Sequence, residues 1–123
     1  MTNVFRQNLS TPQVAYWQHQ GVECAVHFHP GSGTLLGYCL IPDGHPLEQS
    51  PDWDDSCLSY ELLEVHGGVT YGPERVAGGY IVGFDTGHSG DYSYMTGTGR
   101  RWSTEDVVAE TNRMAAQIAE GMA

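Results

Sequence analysis

The stretch GVECAVHFHPGSGTLLGYCLI, residues 21–41, decides the fold of this chain. In its first part, apolar residues alternate with more polar ones at Val22, Cys24, Val26 and Phe28. A period of two is expected of a strand with one buried face. The PGSG that follows is typical of a turn, because glycine reaches positive φ and proline cannot continue a central strand. The apolar run LLGYCLI then predicts a buried strand, so the whole stretch predicts a β-hairpin.

Two more strands and one helix are predicted further along the chain. YIVGF, residues 80–84, is apolar throughout, which favours a central strand. Alternation over Leu58–His66 predicts another strand, and Gly67 allows a bend after it. Ser103 followed by Asp106 matches a helix-capping signature. Apolar residues then recur at helical spacing, at Val107, Val108, Thr111, Met114, Ala115, Ile118 and Met122.

These elements predict an α+β domain of two layers, in which a four- to five-stranded, mostly antiparallel sheet carries one C-terminal amphipathic helix packed on a face. The 123 residues suit a single domain, because a chain of that length can bury enough apolar surface for one core. Within it we expect a loosely ordered arm at residues 1–12, an acidic, proline-rich loop at residues 42–57 and a mobile loop at residues 95–101.

The net charge of the chain limits the classes of partner that it is expected to bind. The formal net charge is −10, with 15 acidic residues against 5 basic ones, all of them arginine. Such a surface repels phosphate backbones and anionic lipid headgroups, so we expect neither nucleic-acid nor membrane binding. Cationic ligands, metal ions or a basic protein suit the charge better, although acidity also serves plain solubility.

Cysteine usage indicates a cytoplasmic protein. Cys24, Cys39 and Cys57 are odd in number and widely spaced, with no CxxC pair, which is typical of reduced, mostly buried thiols. The opening MTNVFRQNLS lacks the apolar run of a signal peptide. No later stretch reaches the roughly 18 apolar residues of a membrane span.

Ionisable residues concentrate in two motifs, YELLEVHGGVTY at residues 60–71 and YIVGFDTGHSGD at residues 80–91. Asp85, His88 and Asp91 recur every third residue after the central strand, and His66 closes the neighbouring one. Carboxylate and imidazole are ligands for Zn²⁺, Mn²⁺ or non-haem iron and also act as general acids and bases. These four residues are therefore the predicted catalytic residues and metal ligands. The simpler alternative is that the aspartates cap turns and His88 lies at the surface.

Other patterns offer alternatives to this site. His27 and His29 form an HxH pair on one strand face, which fits either zinc ligation or a polar face exposed to water. The sequence has no GxSxG nucleophile motif and no phosphate-binding glycine loop. Aromatic residues in the loops favour either a stacking pocket or core anchors.

Three motifs of this chain resemble those of a family of small tailed-phage proteins, whose typical motifs are GYV-x-P-x-GHP, VHGGLTY and GFDCAHAGD. The matching stretches are GYCLIPDGHPL at residues 37–47, VHGGVTY at residues 65–71 and VGFDTGHSGD at residues 82–91. Thr86 stands where the family often has cysteine, so no thiol role carries over. The resemblance implies a phage accessory protein made in the cytoplasm of a bacterial host. It carries over the polar residues His45, His66, Thr70, Asp85, His88 and Asp91.

Three functions are consistent with these residues. The first is an enzyme acting on a small nucleotide-like or amide substrate, with a divalent metal as a candidate cofactor that activates water. The second is a binder without chemistry that sequesters a signalling nucleotide of host immunity, with Thr70, Tyr71 and His45 as ligand contacts. The third is an acidic inhibitor of a basic host protein, suggested by Asp52 and its acidic neighbours. A homo-oligomer is compatible with all three.

Overall fold

The computed structural model describes residues 3–56, 58–87, 99 and 101–122. Within them the chain forms helix α1 (Val4–Asn8), strands β1 (Gln13–His19), β2 (Val22–His29) and β3 (Thr34–Pro42), a 3-10 helix (Pro46–Gln49), strands β4 (Tyr71–Val76) and β5 (Gly79–Asp85), and helix α2 (Thr104–Glu120). The strands make one antiparallel sheet of order β1-β2-β3-β5-β4. The predicted α+β architecture is confirmed, as are the hairpin and the interior position of residues 80–84. None of the helices in these residues is long and apolar enough to cross a membrane.

Helix α2 covers one face of the sheet, the α2 face, where it packs on β2 and β3. Its predicted cap is present, because Ser103 Oγ accepts the Asp106 N–H and the Asp106 carboxylate accepts the Ser103 N–H, both at 3.1 Å. Gly37 of β3 permits close packing, since a Cβ there would lie 2.4 Å from atoms of both Phe84 and Thr111. Met122, at the end of the predicted stripe, is exposed. The buried positions of the stripe are Val107, Thr111, Met114, Ala115 and Ile118.

Helix α1 covers part of the opposite face, the α1 face. Residues 1–12 are expected to form a loosely ordered arm, whereas the structure gives residues 4–8 as a helix with Phe5 fully buried. The Phe5 ring packs against Tyr16 and Tyr38, with ring centroids 6.0 and 6.4 Å away. A second buried cluster therefore lies on this face, made of Val4, Phe5, Ala25, Tyr38, Leu40, Val76 and Ile81.

The predicted strand at Leu58–His66 is wrong, because this segment forms turns and irregular backbone. Its backbone bonds to α2 and not to a strand. The Glu64 N–H donates to Gln117 Oε1 at 2.8 Å, and the His66 N–H donates to Glu110 Oε2 at 2.7 Å. The buried side chains are Leu58, Leu63 and Val65, which the predicted alternation would have divided between two faces. The segment is a loop that fills the edge of the core beneath α2.

Candidate functional site

A pocket of about 250 Å³ opens beside the turn between β2 and β3, at one end of the α1 face. The pairing register of β2, β3 and β5 brings the lining residues of this pocket together. Leu36 pairs with Asp85 of β5, and His29 pairs with Thr34 across the hairpin. Directly opposed residues of antiparallel strands share a face, so these side chains meet on one side of the sheet. The pocket is lined by His29, Ser32, Thr34, Leu36, Asp85 and Gly87.

The His29 ring is held in one tautomer by the turn. The Ser32 backbone N–H donates to His29 Nδ1 at 3.1 Å, so the neutral ring carries its proton on Nε2 while that bond is made. Ser32 Oγ lies 3.0 Å from the same nitrogen and 2.6 Å from Thr34 Oγ1, which links the two hydroxyls to the ring. A nitrogen that carries a proton has no lone pair for a metal ion. In this arrangement His29 is a hydrogen-bond donor.

The Asp85 carboxylate is oriented by the backbone that follows β5. Asp85 Oδ1 accepts the Gly87 N–H at 3.0 Å, a turn in which the side chain mimics a backbone carbonyl. Thr86, which is buried, donates its hydroxyl to the Leu35 carbonyl at 3.0 Å and fastens the end of β5 to β3. The pocket is therefore lined by an oriented carboxylate, an imidazole and two hydroxyls together with the apolar Leu36.

Behind the pocket, His27 lies in the same row of the sheet as Leu36 and is fully buried. Its Nδ1 lies 3.0 Å from the Thr11 carbonyl and its Nε2 lies 3.2 Å from Gln13 Nε2. Desolvation by burial lowers the pKa of His27, and it raises the pKa of neighbouring Tyr38 to about 12. Because both ring nitrogens of His27 have protein partners, the zinc interpretation of the HxH pair is not supported.

The four predicted catalytic and metal-binding residues are placed as follows. Asp85 lines the pocket on the α1 face. The His66 ring lies 4.5 Å, between centroids, from Trp102, and its backbone bonds to Glu110 of α2. These contacts place His66 beside α2. His88 and Asp91 lie outside the described residues, so convergence of the four stays a prediction.

The three predicted ligand contacts have different surroundings. His45 is buried and holds the end of α2, since its Nε2–H donates to the Ile118 carbonyl at 2.7 Å and its Nδ1 accepts the Leu47 N–H at 2.9 Å. Thr70 is exposed, and its N–H donates to the Gly83 carbonyl at 2.9 Å. Tyr71 donates its hydroxyl to the Glu74 carboxylate, and burial is the main cause that raises its pKa. None of the three lines the pocket.

Residues 3–56, 58–87, 99 and 101–122 contain no group of three or more His, Cys, Asp or Glu arranged to hold a metal ion. Sequence reasoning missed Ser32 and Thr34 and treated His29 only as a partner of His27. The sequence signal for this arrangement is a hydroxyl residue, Ser32, three residues after His29 in a turn. At that spacing the backbone N–H and the hydroxyl of Ser32 can form hydrogen bonds with the His29 ring. A scan against protein-family models, a search of curated proteins and a search of solved structures each found no match to this chain.

Proposed function

We propose that this protein binds a small polar molecule in the pocket between His29 and Asp85. The observation that supports the proposal is that polar side chains from β2, the turn and β5 line one concavity. Backbone N–H groups orient two of these side chains, His29 and Asp85. Fixed polar groups above an apolar surface are the usual composition of a ligand site. In keeping with the phage resemblance, the biological role would be sequestration of a host metabolite or signalling nucleotide in the bacterial cytoplasm.

Size and charge constrain the ligand. Drug-sized ligands occupy pockets of roughly 300–1,000 Å³, and this one has about 250 Å³, so a molecule of sugar or nucleoside size fits better. The chain carries a net charge of −10, and Asp85 adds a carboxylate to the pocket itself. A polyphosphate would be repelled there. The pocket therefore disfavours ligands that carry several phosphate groups.

An enzyme that uses the same pocket is the second candidate. Imidazole and carboxylate in one pocket are the residue types of general acid–base catalysis, and His29 and Asp85 provide them. Such an enzyme would act on a nucleotide-like or amide substrate. A metal-assisted version would require the convergence of His66, His88 and Asp91 on Asp85, which stays a prediction.

Small molecules that copurify with the protein test the proposal. The protein is purified from a bacterial host without chelator and heated, and the released compounds are identified by mass spectrometry. We expect a compound released by the wild type to be lost from Asp85→Asn. The control Glu120→Gln removes the same charge from the exposed end of α2 and should retain it.

The outcomes separate the candidates. An intact compound supports binding, whereas a cleaved one released only by protein with Asp85 supports the enzyme. Folded Asp85→Asn protein that releases the same compound in the same yield as wild type would contradict both.

A further inference from the structure

The thiols of Cys24 and Cys39 lie side by side in the hydrophobic core. The two residues are direct partners in the antiparallel pairing of β2 with β3, and both are fully buried in the cluster beneath α2. Their Sγ atoms are 3.8 Å apart, and neither cysteine is in a disulfide. The pair is separate from the pocket, since neither residue lines it.

The strand pairing already provides most of the geometry of a disulfide. Directly opposed residues of antiparallel strands have Cα atoms about 4.5 or 5.5 Å apart, depending on the hydrogen-bonding position. Both values lie within the range of about 4.4–6.8 Å that disulfides accept. Bond formation requires the Sγ atoms to approach from 3.8 Å to about 2 Å. Rotation about the Cα–Cβ bonds moves the sulfur atoms toward each other while the strands stay paired.

The hydrogen bonds that the two thiols donate are weak. The Cys24 thiol donates to the Val22 carbonyl at 3.4 Å, and the Cys39 thiol donates to the Thr111 carbonyl of α2 at 3.6 Å. Thiols are poor donors, so losing these bonds destabilises the core little. A disulfide has no proton to donate and suits the apolar surroundings of the pair, which include Met114.

Helix α2 controls the access of an oxidant to the pair. The thiolate is the reactive form of cysteine, and burial raises the pKa of the Cys39 thiol, which keeps it protonated. Because both side chains are fully buried, an oxidant reaches them only when local opening separates α2 from the sheet. Once one sulfur has been oxidised, the other is already its neighbour.

We propose that hydrogen peroxide converts Cys24 and Cys39 into a disulfide that links β2 to β3. The thiolate of one cysteine attacks a peroxide oxygen, the O–O bond breaks, and a sulfenic acid and a hydroxide ion form. The thiolate of the other cysteine then attacks the sulfenic sulfur, so that the S–S bond forms and the S–O bond breaks. The two hydroxide ions take up the two thiol protons. Two thiols are thereby oxidised to one disulfide, and one peroxide is reduced to two water molecules.

Peptide mapping of the oxidised full-length chain tests the linkage. The folded chain is treated with peroxide until the amide hydrogens of α2 have exchanged, so that the helix has opened. The remaining thiols are alkylated in urea, and chymotryptic peptides are identified by mass spectrometry, which separates cysteine from methionine oxidation. We expect a Cys24–Cys39 linkage and none to Cys57. The same treatment of the chain unfolded in urea should also give linkages to Cys57, because its thiols then meet at random.

Stability provides a second measurement. The disulfide restrains residues 25–38 in the unfolded chain, so the urea midpoint of the oxidised protein should be roughly 1–2 M higher than that of the reduced protein. Dithiothreitol should reverse this rise. The control Cys57→Ala should form the same linkage at the same rate, whereas Cys39→Ala should form none at Cys24.

Three results would overturn the proposal. The first is a folded chain whose Cys24 and Cys39 are still alkylated after peroxide has oxidised both in urea. The second is a linkage to Cys57, or a sulfinic acid at Cys24 without a linkage. The third is a linked chain whose urea midpoint is unchanged or lower, which would mean that the bond forces β2 and β3 apart.

Discussion

The buried side chain of His27 links the residues before β1 to the sheet by hydrogen bonds. The Nδ1–H of His27 donates to the Thr11 carbonyl, and its Nε2 accepts from the amide of Gln13, whose own oxygen accepts from Asn3 at 2.8 Å. Among the described residues, the groups that act on the ring from the packed elements are Arg6 of α1, whose charge lowers the pKa of His27, and Tyr38 of β3, with ring centroids 5.3 Å apart. If Nε2 of His27 also carried a proton, this N–H would face the N–H of the Gln13 amide, and neither group could accept the other's hydrogen bond. Charged His27 is therefore incompatible with this network.

We expect the free energy of unfolding to decrease as the pH falls below about 6.5, the ordinary pKa of histidine. Burial lowers the pKa of His27 in the folded chain, so the unfolded chain binds a proton that the folded chain does not. Stability is thus complete above the unfolded pKa and is lost as the pH falls toward the folded one, by up to about 1.4 kcal/mol per pH unit. Urea unfolding between about pH 5.5 and 7.5 measures the slope.

The variants for this measurement are His27→Gln and a control, Gln18→Asn. His27→Gln should be less stable at neutral pH but show a shallower slope, because its side chain cannot take up the proton. Gln18→Asn, at an exposed position of β1 that has no titratable group, should keep the wild-type slope. Parallel pH profiles for wild type and His27→Gln would show that another group controls the acid sensitivity.

Helix α2 begins at a capping box formed by Ser103 and Asp106. Ser103→Ala removes the acceptor of the Asp106 N–H and should lower the free energy of unfolding by about 1 kcal/mol. Thr104→Ala is the matched control, because Thr104 is the exposed first residue of the helix and its side chain makes no cap. Chemical denaturation of both variants gives the comparison. Equal losses for the two would mean that the cap contributes nothing beyond the change in side chain.

The contrast between α2 and the loop before β4 shows what local sequence patterns can predict. The sequence of the helix contains its start signal and its apolar stripe, so both could be predicted. The loop alternates apolar and polar residues as a strand does, but its hydrogen-bond partners are Glu110 and Gln117 of α2. Such distant partners leave no local signal. Strand β1 also lacks a clear sequence pattern, because the register shift between Gln13 and Ala15 interrupts the alternation of buried and exposed residues.

For the whole molecule, the architecture could be predicted from patterns along the sequence, whereas the composition of the pocket depends on the pairing register between strands. Asp85 was predicted as a site residue because it follows a central strand. Its pairing with Leu36, and the pairing of His29 with Thr34, depend on how three strands align, which no single segment encodes. The burial of α1 was likewise missed, because five residues give too short a pattern to reveal that Phe5 packs between tyrosines.

The charge of the whole molecule gives the last prediction. With a net charge of −10, carboxylates repel one another over the folded surface, and attraction in exposed pairs such as Arg75–Asp43 is too weak to offset this. Raising sodium chloride from about 0.01 to 0.15 M shortens the Debye length from about 30 to about 8 Å. We therefore expect the melting temperature to rise with salt, equally for sodium and potassium chloride. A decrease would mean that attractive pairs dominate, and a difference between the two cations would indicate specific ion binding in place of screening.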